Sequence, residues 1–389
     1  MKDWRDSYSS VEDLAQAGFV TPSEFTALKN LERRYQIRVP HYYASLFTKS
    51  ENCPIKLQAL PSVAEQAPSL PDWLRDLSAT AYGRLEPWTA DSIGDVKNLA
   101  APRLTHRYPN RALLHTTTLC ALTCRFCFRK SHLNEKESAL YEGSFDAAFE
   151  YLNKHPEVTE LVLTGGDPLS LTDLALERLL DRINGVAHLR TIRLHSRAPV
   201  TSPDRIQPEL LDVLKRFVHN SSKTIQLVTH FNHPLELSPL ALERLRLLRL
   251  SGISLFNQTV LMRRVNNEPS TLSKLYQTLY ENGVGALYLH HPDWTPGTFH
   301  FRVTIPQGQA ITRALRGQLS GPAMPDYVLD SPEGDGKIPL TDSHWLRPVS
   351  ERITRDGFTA QLFERPRKTA SSHESHTRAQ FYLDAANVD

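Results

Sequence analysis

Beyond residue 110 the chain alternates between two kinds of hydrophobic pattern. Short apolar runs occur at ALLHTTT (112–118), ELVLTGG (160–166), LRTIRLHS (189–196), TIQLVTHF (224–231), SLFNQTVL (254–261) and ALYLHH (286–291). Their length and β-rich composition predict buried strands. Between them lie FDAAFEYLNKH, TDLALERLLDRI, ELLDVLKRFV, LALERLRLLRL and LSKLYQTLYE, whose apolar positions recur at helical spacing. Each unit takes roughly thirty residues or more, the length of a strand–helix–strand crossover. Six such units in series predict a parallel sheet curled into a full or partial barrel. In that architecture the chemistry gathers at the C-terminal ends of the strands.

The first hundred residues break this rhythm. SVEDLAQAGF and TPSEFTALKNLERRY read as helices, and the proline-bearing LPSVAEQAPSLPDW interrupts the pattern. Residues 1–100 are expected to form a helical region packed on a barrel of residues 101–300, with a further segment at 301–345. Residues 346–389 include RPRKTASSHESHTRAQ, which is polar and poor in apolar side chains. They are expected to be partly flexible or dependent on a partner.

Composition removes several classes of function. A net charge of +2 lacks the basic excess of a dedicated nucleic-acid binder. No apolar run reaches the length of a membrane span, and MKDWRDSYSS lacks the apolar segment of a signal peptide. Four cysteines, three of them clustered, do not form the spread framework of a secreted disulfide protein. The expectation is a cytoplasmic enzyme that engages neither nucleic acid nor membrane.

Three motifs carry candidate chemistry. Cys120, Cys124 and Cys127 lie in TLCALTCRFCFRK, on a loop just after the first barrel strand. Thiolates so spaced can converge on one soft metal centre. Spacing alone leaves open an iron–sulfur cluster with one free iron, a zinc site completed by histidine, or a set of buried thiols. Next, TGGDP (164–168) ends the second strand, and Gly165 and Gly166 allow close approach of backbone to a ligand. Finally, Lys337 ends the glycine-rich part of YVLDSPEGDGKIPL (327–340). Ile338 follows it, so the phosphate-loop pattern does not fit, and it reads as a phosphate binder or as a solvated turn lysine.

Together these motifs resemble the radical S-adenosylmethionine superfamily, and within it the lysine 2,3-aminomutase family. The superfamily signature is C-x-x-x-C-x-x-C after the first barrel strand, with an aromatic residue before the last cysteine, the place of Phe126. The likeness to the aminomutases runs from about residue 100 to about residue 340. LTHRYPNRALL (104–114), LHSRAPVTSP (194–203), THFNHP (229–234), NQTVLMRRVN (257–266) and FHFR (299–302) also carry it. It implies an α/β fold: a partial (β/α)6 barrel with a helical N-terminal region and a C-terminal segment bearing a cofactor lysine. It also implies a [4Fe–4S] cluster on Cys120, Cys124 and Cys127 whose open iron takes S-adenosylmethionine. Gly165, Gly166 and Asp167 then receive the methionyl amino group, while His230, Asn257 and Gln258 contact the same cofactor. Lys337 becomes the Schiff-base lysine of pyridoxal 5′-phosphate, with Arg107 and Arg111 on the phosphate and Tyr108 beside ring or phosphate. A flavodoxin- or ferredoxin-type protein would deliver the electron.

The same likeness assigns the substrate contacts. Arg129 matches the family arginine that grips the substrate carboxylate, a task suited to the guanidinium fork. Asp293 and Asp330 match the positions that bind the distal ammonium of lysine. Two carboxylates facing one pocket repel unless a cation sits between them. The expected substrate is therefore a free basic amino acid: lysine, arginine or ornithine. The implied reaction is a 2,3-amino shift that yields a β-amino acid.

Departures from the family pattern keep rival readings in view. HHPDWTPGTF (290–299) replaces the usual short polar stretch, with His290 and His291 expected to reach the pocket. Trp294 offers a face to a planar guanidinium, which tilts the reading towards arginine. The altered segment makes a desaturase of arginine or lysine the runner-up. Modification of a lysine on a protein partner and a non-catalytic iron–sulfur or zinc protein are further alternatives. Asp335 stands where glycine is common. No cysteine follows Cys127, and Glu268 occupies the neighbourhood of a zinc-binding cysteine, so the expectation is a homo-oligomer, if any, without interfacial zinc.

Overall fold

The apolar runs become neighbouring strands of one sheet. The computed structural model describes residues 6–66, 91–134, 138, 140–330, 336–341, 347–353, 358–365 and 380–387. Asp335, the later part of LPSVAEQAPSLPDW and most of RPRKTASSHESHTRAQ lie outside them. Strands β1 (Ser7–Tyr8) and β2 (Val39–Pro40) form a small antiparallel pair in the N-terminal region. The main sheet then takes β3 (Leu99–Ala101), β4 (Leu104–Tyr108), β5 (Arg111–Thr117), β6 (Glu160–Gly165) and β7 (Thr191–His195). It continues with β8 (Thr224–Thr229), β9 (Ser254–Val260), β10 (Val284–His290), β11 (Asp326–Asp330) and β12 (Lys337–Pro339). These ten lie side by side in chain order, parallel from β5 to β11 and antiparallel at both ends.

Sequential order follows from the crossover helices, each of which returns the chain beside the strand it has just left. The helices are Asp146–Lys154, Asp173–Asn184, Pro208–Asn220, Pro239–Leu250, Pro269–Glu281 and Ile305–Arg316. Thr172 and Ser238 cap two of them by accepting from the backbone N–H groups of Ala175 and Ala241. Pro208, Pro239 and Pro269 open helices at positions where a missing N–H costs nothing. The helix Pro208–Asn220 buries Leu210, Leu211, Val213, Leu214 and Phe217. Each such side chain contributes about 1.5–3 kcal/mol. Among the described residues no helix is long and apolar enough to cross a membrane.

The two ends of the sheet meet through side chains. Arg107 on β4 places Nη2 3.4 Å from Oδ1 of Asp330 at the end of β11. The backbone N–H of Lys337 on β12 donates to the Tyr108 hydroxyl at 3.2 Å. A twisted parallel sheet curls naturally, and here it curls until its ends touch. The result is a partial barrel: the backbone ladder does not close between β3 and β12.

Helices Val11–Gln16, Pro22–Glu32, His41–Ser45 and Pro54–Ala59 make up most of the described N-terminal region. They reach the barrel through Tyr43, whose hydroxyl donates to Glu236 at 2.6 Å. The described parts of the C-terminal stretch add three strands. Strands β13 (Arg347–Ile353), β14 (Phe358–Arg365) and β15 (Gln380–Asn387) form an antiparallel sheet of their own. Phe363 on β14 is buried.

Candidate active site

The cysteine loop leaves β5 and is shaped by the N-terminal region. The backbone N–H groups of Thr123 and Arg125 donate to the carbonyls of Arg38 (3.0 Å) and Gln58 (2.9 Å). Arg125 grips Glu65 through Nε at 2.8 Å and Nη2 at 2.6 Å, and Lys130 Nζ approaches the same carboxylate at 3.0 Å. All three side chains are essentially sealed from water. Lys130 also donates to the carbonyl of Gly297 at 2.7 Å, tying the cysteine loop to the segment after β10. Burial lowers Lys130 to about 8, with Glu65 resisting the shift.

Cys120, Cys124 and Cys127 are half-buried on this loop. Burial raises the thiols of Cys120 and Cys127, and the neighbouring sulfurs add to it; Cys127 is pushed up to about 11. Two thiols held protonated in this way suit a multivalent cation, which would favour their ionised form. Among the described residues no three metal-ligating side chains already stand as a closed set. Arg197, part of LHSRAPVTSP but given no role by the sequence, places Nη1 2.9 Å from the Cys124 sulfur.

The TGGDP turn packs on that loop. A Cβ at Gly166 would lie 2.5 Å from the carbonyl oxygen of Leu119, and Gly165 adopts φ +106°. The Gly166 and Asp167 N–H groups donate to Thr117 (2.6 Å) and Leu119 (2.8 Å). The glycine pair thus admits this chain's own cysteine loop before any ligand. Asp167 is equally occupied: its carboxylate accepts from the backbone N–H groups of Leu169 and Arg197, both at 2.9 Å.

Asn257 and Gln258 part company because successive side chains of β9 point to opposite faces. Asn257 belongs to the fully buried set and accepts from the Phe231 N–H at 2.7 Å while donating to its carbonyl at 3.2 Å. It pins the loop after β8, whereas Gln258 belongs to the partly open set. His230 on that loop lies 5.4 Å from the Phe126 ring. Burial holds its imidazole neutral, and its buried Nε2 lacks a hydrogen-bond partner among the described residues.

At the other end of the barrel mouth, Lys337 and Asp330 face each other across the β11–β12 pair. Lys337 Nζ is 2.8 Å from each Asp330 oxygen. His290 Nδ1 lies 3.4 Å from Asp330 Oδ2, and the Lys337 amine stands 5.3 Å from the Tyr288 ring centre. Burial raises the Asp330 carboxyl, but Lys337 and His290 outweigh it and hold the group well below the usual range. Asp293 moves the opposite way, raised by burial and by the charge of Asp330. Tyr108 sits between two guanidiniums, with Arg111 3.9 Å and Arg107 4.8 Å from its ring centre. Gly336 adopts φ +112° and passes so close to the Tyr108 hydroxyl that a Cβ would stand 3.2 Å from it.

Arg129 is buried between two partners. Nε and Nη2 each lie 2.7 Å from Asp95, and Nη1 donates to the Thr164 hydroxyl at 3.2 Å. The segment 290–299 differs from its sequence reading. His290 reaches the pocket, but His291 turns away to the Tyr327 hydroxyl (2.8 Å) and to Arg302 (3.2 Å). Trp294 is buried, and its ring stacks on the chain's own Arg302 at 4.2 Å. The planar guanidinium expected from a substrate is thus already supplied by the protein, and the argument for arginine from Trp294 lapses. Thr295 bonds Ser92 at 3.0 Å and the Pro296 carbonyl accepts from Tyr35 at 3.1 Å, so this segment is mainly internal packing.

Comparison with known proteins now decides the family. Residues 114–270 match the Radical SAM superfamily. An L-lysine 2,3-aminomutase of Acetoanaerobium sticklandii is 34% identical, with 92% of this chain and 82% of that protein covered. The chain belongs to the lysine 2,3-aminomutase family. A Fusobacterium nucleatum L-lysine 2,3-aminomutase is 32% identical over 98% of this chain and 84% of its own length. A glutamate 2,3-aminomutase of Clostridioides difficile is 31% identical, covering 92% and 81%.

Members of the lysine 2,3-aminomutase family use a [4Fe–4S] cluster, S-adenosylmethionine and pyridoxal 5′-phosphate. The residues present fit all three groups. Soft donors share the cysteine loop, and the His230 ring, whose buried Nε2 lacks a partner among the described residues, lies 5.4 Å from that of Phe126 on the same loop. A primary amine and two arginines flank Tyr108 at the other end. Because relatives bear both lysine and glutamate names, family membership leaves the side-chain preference to the pocket.

Proposed function

We propose that this chain is a 2,3-aminomutase acting on a free amino acid with a cationic side chain, and that lysine is its best substrate. The reading rests on the two aspartates: Asp330 accepts from the Lys337 amine, and Asp293 is pushed towards its neutral form by burial and by the charge of Asp330. A substrate ammonium placed there would relieve that penalty. A glutamate side chain would add a third negative charge.

Each residue then has a task. The three cysteines hold the cluster, and Gly165 and Gly166 bring its loop against the end of β6. Gln258 and His230 face S-adenosylmethionine, while Asn257 and Asp167 fix the loops that present them. Lys337 tethers the pyridoxal group, Arg107 and Arg111 bind its phosphate, and Tyr108 orients the tether. Arg129, aimed by Asp95, takes the substrate carboxylate. The bound cofactors supply hydrogen abstraction and an aldehyde that carries the migrating nitrogen. The protein's own part is alignment and exclusion of water, so that one side-chain carbon meets the reactive centre. A flavodoxin- or ferredoxin-type reductant fits the need for single electrons.

The segment 290–299 no longer favours desaturation, since its unusual residues pack inward. A purely structural cluster leaves the Lys337 pocket without purpose. The test is a panel of lysine, ornithine, arginine and glutamate given to the reconstituted enzyme under reductant, with amino-acid-dependent release of 5′-deoxyadenosine as readout. Lysine should lead and glutamate should be inert; preference for glutamate overturns the reading.

A further inference from the structure

The guanidinium of Arg197 is aimed by four groups from three parts of the chain. Nε donates to the His230 carbonyl at 3.0 Å. Nη2 reaches Glu236 Oε1 (2.6 Å), Gln58 Oε1 (2.7 Å) and the Tyr43 hydroxyl (3.2 Å). Glu236, Gln58 and Tyr43 are wholly buried. Glu236 is itself fixed, since Oε2 accepts from the backbone N–H groups of Asn232 (2.6 Å) and His233 (3.0 Å). What remains is Nη1, which points at the Cys124 sulfur from 2.9 Å. A cation held this firmly against one sulfur does more than fill space.

We propose that Arg197 is a positioning residue that sets the reduction potential of the iron–sulfur cluster through Cys124, and that Glu236 moderates it. The proposal rests on the assignment of Cys120, Cys124 and Cys127 as cluster ligands. One-electron reduction by a flavodoxin- or ferredoxin-type donor adds a negative charge to the cluster. Hydrogen bonds to ligand sulfur and nearby positive charge favour the reduced form and raise the potential. The Glu236 carboxylate, bonded to the far side of the same guanidinium, offsets part of that field. The two residues therefore act with opposite signs.

The experiment uses the full chain, anaerobically reconstituted, with iron and sulfide content measured on every sample. Potentials come from redox titration followed by the electron paramagnetic resonance signal of the reduced cluster. Arg197→Gln should shift the reduction equilibrium about tenfold towards the oxidised form, ~59 mV lower for one electron. Arg197→Lys, which keeps the charge, should shift it less. Glu236→Gln should move it the other way. Equal potentials in fully loaded variants, or Arg197→Gln and Glu236→Gln moving in the same direction, overturn the proposal. If Arg197→Gln fails to hold iron, Glu236→Gln still decides: an unchanged or lowered potential is fatal. A wild-type chain that assembles no [4Fe–4S] signal would overturn the ligand assignment itself, a distinct failure that takes this proposal with it.

Discussion

Lys337 Nζ and the Asp330 carboxylate are register partners across β11 and β12, joined by two contacts of 2.8 Å. The amine proposed to take the cofactor aldehyde is therefore held by the carboxylate proposed to take the substrate ammonium. Loading the cofactor requires this ion pair to open, which leaves Asp330 available to the substrate. Asp330→Asn should capture pyridoxal 5′-phosphate about tenfold faster, the equivalent of one charged hydrogen bond weakened by ~1.4 kcal/mol. Borohydride trapping and mass spectrometry would measure it, and Lys337→Ala should give no adduct. Slower capture by Asp330→Asn would contradict the arrangement.

Asp293 should govern recognition of the substrate's distal cation. Asp293→Asn replaces a charged hydrogen-bond acceptor with a neutral one, worth about 1.5–3 kcal/mol. The kcat/KM for lysine should fall roughly 10- to 100-fold, with cofactor loading unaffected. Steady-state kinetics with cofactor occupancy measured in parallel would check this.

The two aspartates also predict opposite responses to pH in the cofactor-free protein. Asp293 is raised by burial and by Asp330, so its stabilising contribution is complete below the ordinary carboxylate range and lost as pH rises through the raised value. Asp293→Asn should gain on wild type by on the order of 1 kcal/mol between pH 5 and pH 8. Asp330 is lowered because Lys337 and His290 outweigh burial. Its contribution is present above the ordinary range and fades only in strong acid, so Asp330→Asn should lose stability at neutral pH. Urea midpoints at both pH values would settle the signs.

Much of the barrel was legible because each crossover repeats the same two patterns, an apolar run and an amphipathic helix. Strands β13 to β15 were not, since their part of the sequence is dominated by the polar RPRKTASSHESHTRAQ. Within the site, the cysteine and lysine motifs could be picked out, although only the family resemblance gave them roles. The supporting residues could not: Arg129 meets Asp95, Arg125 meets Glu65 and Arg197 meets Cys124 across separations of 34, 60 and 73 residues. His290 and His291 show a finer limit. Adjacent residues at a strand end face opposite sides, and only the fold says which one enters the pocket.

Glu65 should be as necessary to the cysteine loop as its sequence neighbourhood is unremarkable. Glu65→Gln leaves Arg125 and Lys130 buried beside each other without their shared counter-charge. Losing one partner of such a group costs about 3–5 kcal/mol. Thermal unfolding should show that loss, and reconstitution should incorporate less iron than wild type. Undiminished stability would mean that water or another group replaces the carboxylate.

The most direct measurement is the structure of the product formed from lysine by the reconstituted enzyme under anaerobic reductant. An isomer of unchanged mass, with its amino nitrogen moved from C2 to C3 by nuclear magnetic resonance, is the predicted result. A product lighter by two hydrogens, or an amino group still on C2, would contradict the account.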